Sequence, residues 1–202
     1  DSTAVLSGFT VVNGYNSYGG GIYCISSNPS LTNLKITGNS VSSSGGGIYL
    51  SWSNVSMEDV VISENEAGAA GGGIVIDNSS PNIENTVISN NLATIDGGGI
   101  YSFAQNTRPE NSVLRKVSII DNSCSGQNSR GGGIFCNNTT INIFNSTLSG
   151  NHTVDYGGGI SFHDWNASAN LVNTILWGNM VDNNNYPAIF PNGGEVNVSY
   201  SL

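Results

Sequence analysis

Residues 71–100 read GGGIVIDNSSPNIENTVISNNLATIDGGGI, a unit that closes on the start of its own next copy. The string Gly-Gly-Gly-Ile begins at Gly19, Gly45, Gly71, Gly97, Gly131 and Gly157, in steps of 26, 26, 26, 34 and 26 residues. Between the triplets runs a second signature: an aliphatic residue, an Asn-like residue two positions on, another aliphatic three further, and an Asn three further still. Residues 71–100 supply it as Ile83, Asn85, Ile88 and Asn91. The closing Asn recurs at 39, 65, 91, 122, 151 and 179. Self-similarity of this kind is the mark of repeat architecture.

A 26-residue period is too short for a propeller blade and suits one turn of a three-sided β-solenoid. Helices are disfavoured, because Gly, Asn, Ser, Thr and β-branched residues dominate and no 3.6-residue periodicity survives. Successive coils then pair as parallel strands about 4.8 Å apart. The fold expected is all-β, a right-handed single-stranded parallel β-helix of about seven coils in one domain. A partial first coil spans 1–18, full coils start at 19, 45, 71, 97, 131 and 157, and a degenerate last coil spans 186–202.

Strand alternation points Ile22, Ile48, Ile74, Ile100, Ile134 and Ile160 inward as one stack, with Cys24, Leu50, Ile76, Ser102, Cys136 and Phe162 as a second. The residue between them faces outward, so Val75→Asp is expected to be tolerated where Ile74→Asp is not. The Gly triplets allow positive φ at a corner and leave no Cβ against the coil above. The Asn column is expected to form an amide ladder at another corner, helped by the tolerance of Asn for the left-handed conformation.

Only 9% of the residues are charged, and the net charge is −9 with five Lys and Arg. That argues against nucleic acid and anionic membrane surfaces as partners. No apolar run is long enough to span a bilayer. Asp1 begins mid-pattern, so a signal peptide is expected to be removed or to lie upstream, and the chain to be part of a longer protein. Open coil ends invite end-to-end self-association, which Pro187, Pro191 and the Asn-rich stretch 182–185 oppose. Cys24 and Cys136 share a slot four coils apart, too far for a disulfide, and Cys124 sits in another slot. All three are expected as buried small hydrophobes.

Gly-Gly-Gly-Ile paired with [Ile/Leu]-x-x-Asn resembles the Gly-Gly-Ala-Ile and Phe-x-x-Asn repeats of bacterial polymorphic outer membrane proteins. It is also similar to secreted bacterial β-helix proteins with C-terminal sorting or anchor domains. This chain carries an aliphatic residue where the first family has Phe. The resemblance implies a β-helix and a secreted or cell-surface location, with an adhesin-like or structural role.

Candidate sites follow from side chains the fold would expose. Tyr23, Tyr49, Val75, Tyr101, Phe135 and Ser161 form the outward column after the Ile, a partial aromatic strip that could stack on sugar rings or simply on itself. Trp52, Phe103, His163, Asp164 and Trp165 continue the same strands and could wall a groove. The fourth coil is eight residues longer, the excess being placed between Phe103 and Lys116. Four of the five basic residues fall in it: Arg108, Arg115, Lys116 and Arg130. Basic residues on a loop could serve β-elimination of an acidic polysaccharide, or merely offset Glu110 and Asp121.

The candidate ligand contacts are thus Tyr23, Tyr49, Trp52, Tyr101, Phe103, Arg108, Phe135, His163 and Trp165, toward a polysaccharide or host-cell glycan. No carboxylate pair, metal cluster or cofactor motif stands out. The function expected is a non-catalytic extracellular or cell-surface β-helix module. The alternative is a polysaccharide-binding domain, or a lyase or hydrolase, using the aromatic face and the long fourth coil.

Overall fold

The computed structural model describes residues 4–105, 110–182 and 188–201. It is a parallel β-solenoid of about seven turns, and no helix occurs among the described residues. Three sheets of 13, 7 and 7 strands run along it. One seven-stranded sheet stacks Ile22–Ile25, Ile48–Ser51, Ile74–Asp77, Ile100–Phe103, Ile134–Asn137, Ile160–His163 and Ile189–Phe190. Every pairing in it is parallel, with Ile opposite Ile from one coil to the next.

Both inward stacks form. Ile48, Ile74, Ile100, Ile134 and Ile160 are fully buried, and Ile22 and Ile189 are half-buried at the two ends. Cys24, Leu50, Ile76, Ser102, Cys136 and Phe162 are buried in the second stack. Full burial of an aliphatic side chain contributes about 1.5–3 kcal/mol, so repetition of one slot stabilises a chain whose surface is neutral and polar.

The glycine triplets do two separate jobs. Gly71, first of its triplet, has φ of 64°, as does each first glycine to within about 15°. Gly72, the second, lies so close to the neighbouring coils that an added Cβ would stand 2.5 Å from the Leu92 carbonyl oxygen and 2.6 Å from that of Gly98. Strand spacing there is backbone against backbone.

The asparagine ladder runs the length of the solenoid. Each Nδ2 donates to the Oδ1 of the next ladder Asn, from Asn39 to Asn65, Asn91, Asn122, Asn151 and Asn179, at 2.9–3.0 Å. The backbone N–H of each donates to that same oxygen. The second Nδ2 proton reaches a main-chain carbonyl, as from Asn91 to Ile62 at 3.0 Å. The expected left-handed backbone is not at these residues, however. Positive φ falls on the residue before each: Gly38, Glu64, Asn90, Asp121, Gly150 and Gly178. It falls again on the other Asn-like column, Asn33, Asp59, Asn85, Lys116, Asn145 and Asn173. The ladder Asn is chosen for its buried amide, whereas the second column turns the corner.

The eight extra residues of the fourth coil are not all where the sequence placed them. Ladder partners are 26 residues apart at Asn65–Asn91, but 31 apart at Asn91–Asn122, five more than the repeat. Asn122 and Asn151 are then 29 apart, three more than the repeat. The first excess precedes the strand Glu110–Arg115, and the second falls between Cys124 and Arg130.

All three cysteines are unpaired and buried. Burial pushes the Cys24 and Cys124 thiols upward and that of Cys136 up to about 12. The thiolate is the reactive form. Alkylation of folded protein without reductant is therefore expected to be slow at all three. Mass spectrometry after unfolding in denaturant should show three modified thiols, and a bridge between Cys24 and Cys136 would overturn the coil register.

Candidate functional site

The outward column does not make one open aromatic platform. Val75, Phe135 and Ser161, expected to be exposed, are all buried: Val75 and Ser161 have no exposed surface and Phe135 has 1%. They still lie outside the apolar interior cluster that holds Ile74, Ile76, Ile134 and Cys136. The cover is lateral. Val75 sits between Tyr49 and Tyr101 on the adjacent strands, and strands this close let large side chains overhang a small one. Phe135 is stacked by Tyr101, with centroids 5.5 Å apart and planes at 5°, and is capped by Arg130, whose Cζ lies 4.4 Å from the ring centre. A ring so enclosed has no face left for a ligand.

The remaining aromatics fall into two self-contained groups. Tyr49 meets both Tyr18 and Tyr23 edge-on, at 5.4 and 5.3 Å. Burial and the nearby Asp77 carboxylate drive its phenol upward, and its hydroxyl donates to Asp77 Oδ2 at 3.4 Å. Tyr101 leans on Phe103 at 5.1 Å. Its own phenol is pushed up to about 12, first by burial and then by Asp96. Trp52 is 53% exposed at a corner of φ 52°, apart from both groups.

The basic residues are largely committed. Lys116 pairs with Glu84 at 3.1 Å, and Arg115 lies 4.4 Å over the Phe144 ring. Arg130 holds Asp96 with two hydrogen bonds, Nε to Oδ1 at 2.9 Å and Nη2 to Oδ2 at 2.8 Å. Burial nonetheless raises the Asp96 carboxyl, against the opposing pull of Arg130. Arg108 lies outside the described residues, as do Pro187 and residues 183–185.

What the sequence reading missed is the column just before each Gly triplet. Asp96, Arg130 and Tyr156 occupy it in successive coils and bridge in parallel. The signal was available, since aligning the repeats places an acid, a base and an aromatic in one slot. Beside this column opens a cleft of about 530 Å³ whose lining includes Arg130, Tyr156, His163, Phe190 and Asn192. Tyr156 packs on Phe190 at 5.0 Å. A second hollow, about 400 Å³, continues past His163 and Asn192 to Asp164, Trp165 and Gly193. Of the eight described residues among the nine singled out from sequence, only His163 lines the cleft, and only His163 and Trp165 line the second hollow.

The turn that carries Trp165 is fixed locally. The Trp165 N–H donates to Asp164 Oδ1 at 2.6 Å, and the Ala167 N–H to the Asp164 carbonyl at 3.2 Å. Opposite it, the Gly194 N–H donates to the Pro191 carbonyl at 2.8 Å, and Gly193 approaches the Trp165 ring. Among the described residues no group of three or more His, Cys, Asp or Glu could hold a metal ion, and no helix is long and apolar enough to cross a membrane.

Fold and cleft together define a β-helix repeat protein with a lateral hollow on a laddered scaffold. Residues 33–51 and 85–102 match the Chlamydia polymorphic membrane protein repeat. Both segments run from a left-handed corner residue, Asn33 or Asn85, through a ladder Asn to a Gly triplet and its Ile. The repeat is thus similar to that of this bacterial family in the residues that build the coil. Searches of curated proteins and of solved structures returned no match.

Proposed function

We propose that this chain is a non-catalytic, adhesin-like β-helix module carried on the surface of a bacterial cell. The observation that carries the reading is the repeat match, because the matched residues are those that make the solenoid rather than those of any reaction centre. A laddered rod is rigid and presents laterally placed contact sites at fixed spacing, which suits a surface scaffold. Among the described basic residues of the fourth coil, Lys116 is paired with Glu84 and Arg130 with Asp96, which disfavours either as the base of a lyase.

Antibodies raised against the folded chain should label intact, unpermeabilised cells that express the parent protein. Incubation of the chain with pectin, alginate and chondroitin should release no unsaturated or reducing ends. Labelling confined to permeabilised cells would defeat the surface assignment, and depolymerisation of any of the three would defeat the non-catalytic one.

A further inference from the structure

We propose that the cleft beside Arg130 and Tyr156 is a binding site for a neutral saccharide. The first support is where the repeat breaks. Asn122 and Asn151 are three residues further apart than the 26-residue repeat, and the excess lies in the segment that carries Asn128 to the cleft. Asn151 and Asn179 are 28 apart, two more than the repeat, and that excess lies in the turn after His163, which carries Trp165. Two of the departures from the 26-residue period therefore converge on one hollow. Loops held by a rigid frame are where binding residues concentrate.

The second support is chemical. The combined hollow is of the size of small-molecule sites, about 300–1,000 Å³. Trp165 offers an exposed aromatic face for the C–H side of a pyranose beside the packed Tyr156–Phe190 pair that lines the cleft, while Asn128, Asn192 and His163 can both donate to and accept from its hydroxyls. Trp165 is 85% exposed, an expensive way to display an indole unless something covers it.

Charge selects the neutral class. The Arg130 guanidinium is occupied by Asp96 on its forked edge. Carboxylates stand at both rims: Asp155, which accepts from the Asn128 N–H, and Asp164 beside Trp165. A uronate or sulfate would meet these like charges in a chain of net charge −9.

For its biological meaning the inference rests on the adhesin-like reading, but its test does not. The whole chain is titrated with neutral gluco-, galacto-, manno- and N-acetylglucosamine oligosaccharides, with heparin and polygalacturonate as anionic comparators. Binding is followed by tryptophan fluorescence and saturation-transfer NMR. At least one neutral probe is expected to bind in the millimolar range or tighter. Trp165→Ala and Asn192→Ala should each weaken it about tenfold, with unchanged melting. Trp52→Ala, an exposed indole outside the cleft lining, should leave it unmoved. The proposal is overturned if no neutral probe binds, if only heparin or polygalacturonate binds, or if Trp52→Ala weakens binding as much as Trp165→Ala. Failure of cell-surface labelling would remove the adhesin role and leave the saccharide site standing.

Discussion

Replacing Ile74 with Asp is expected to leave the chain unfolded at room temperature. Ile74 has no exposed surface and lies between Ile48 and Ile100 on the adjacent strands. The substitution forfeits about 1.5–3 kcal/mol of apolar burial. It also places a carboxylate without a partner in the interior, at a cost of several kcal/mol more. Whole-domain stability is about 5–15 kcal/mol, and a central coil supports a neighbour on each side, so one such change is enough. Val75→Asp is now expected to destabilise as well, by about 1–3 kcal/mol, since its outward side chain is fully covered. The tolerant control is Val61→Asp, 36% exposed and flanked by Lys35, which should stay within about 0.5 kcal/mol of the parent. Urea melts followed by circular dichroism would rank the three. A folded Ile74→Asp would refute the register, and a Val75→Asp as benign as Val61→Asp would show the outward layer to be open.

Asn91→Ala should cost nearly as much, though the residue is polar. Its Nδ2 donates to the Ile62 carbonyl and to Asn122 Oδ1, and its Oδ1 accepts from both the Asn65 N–H and Asn65 Nδ2. Truncation leaves the Asn65 N–H, the Asn65 amide and the Ile62 carbonyl buried without these partners. Each buried group left unsatisfied costs about 1–3 kcal/mol, so for these three groups a loss on the order of 3–9 kcal/mol is expected. Asn179→Ala, at the last rung, should cost clearly less, because Asn179 is only half-buried and water can reach the groups that it would leave without partners. Thermal melts of the two variants check this. Equal losses at both positions would mean that the rungs act independently of their place in the column.

How much of this was legible in the sequence depends on the range over which each feature is determined. The coil, its inward stacks and the amide ladder are periodic, and a period of 26 residues repeats the same local chemistry until it can be read directly. The glycine triplets are as clear, since only a residue without Cβ fits where Gly72 meets Leu92 and Gly98. The left-handed corner was assigned to the wrong Asn column, because Asn is both a good left-handed residue and a good buried amide, and only the backbone angles separate the two uses.

By itself, then, the sequence determined the parallel solenoid, its inward faces and the unpaired cysteines, all consequences of repetition. Tertiary structure alone decided that Phe135 and Val75 are covered, through neighbours stacked from adjacent coils. It alone decided that Arg130 is bound to Asp96, and that turns from three coils meet around Tyr156, Phe190 and Trp165. The physical reason is that burial and clefts depend on which side chains overhang across strands about 4.8 Å apart. That distance along the axis separates residues some 26 or more positions apart in the chain, and their size and charge vary without any period.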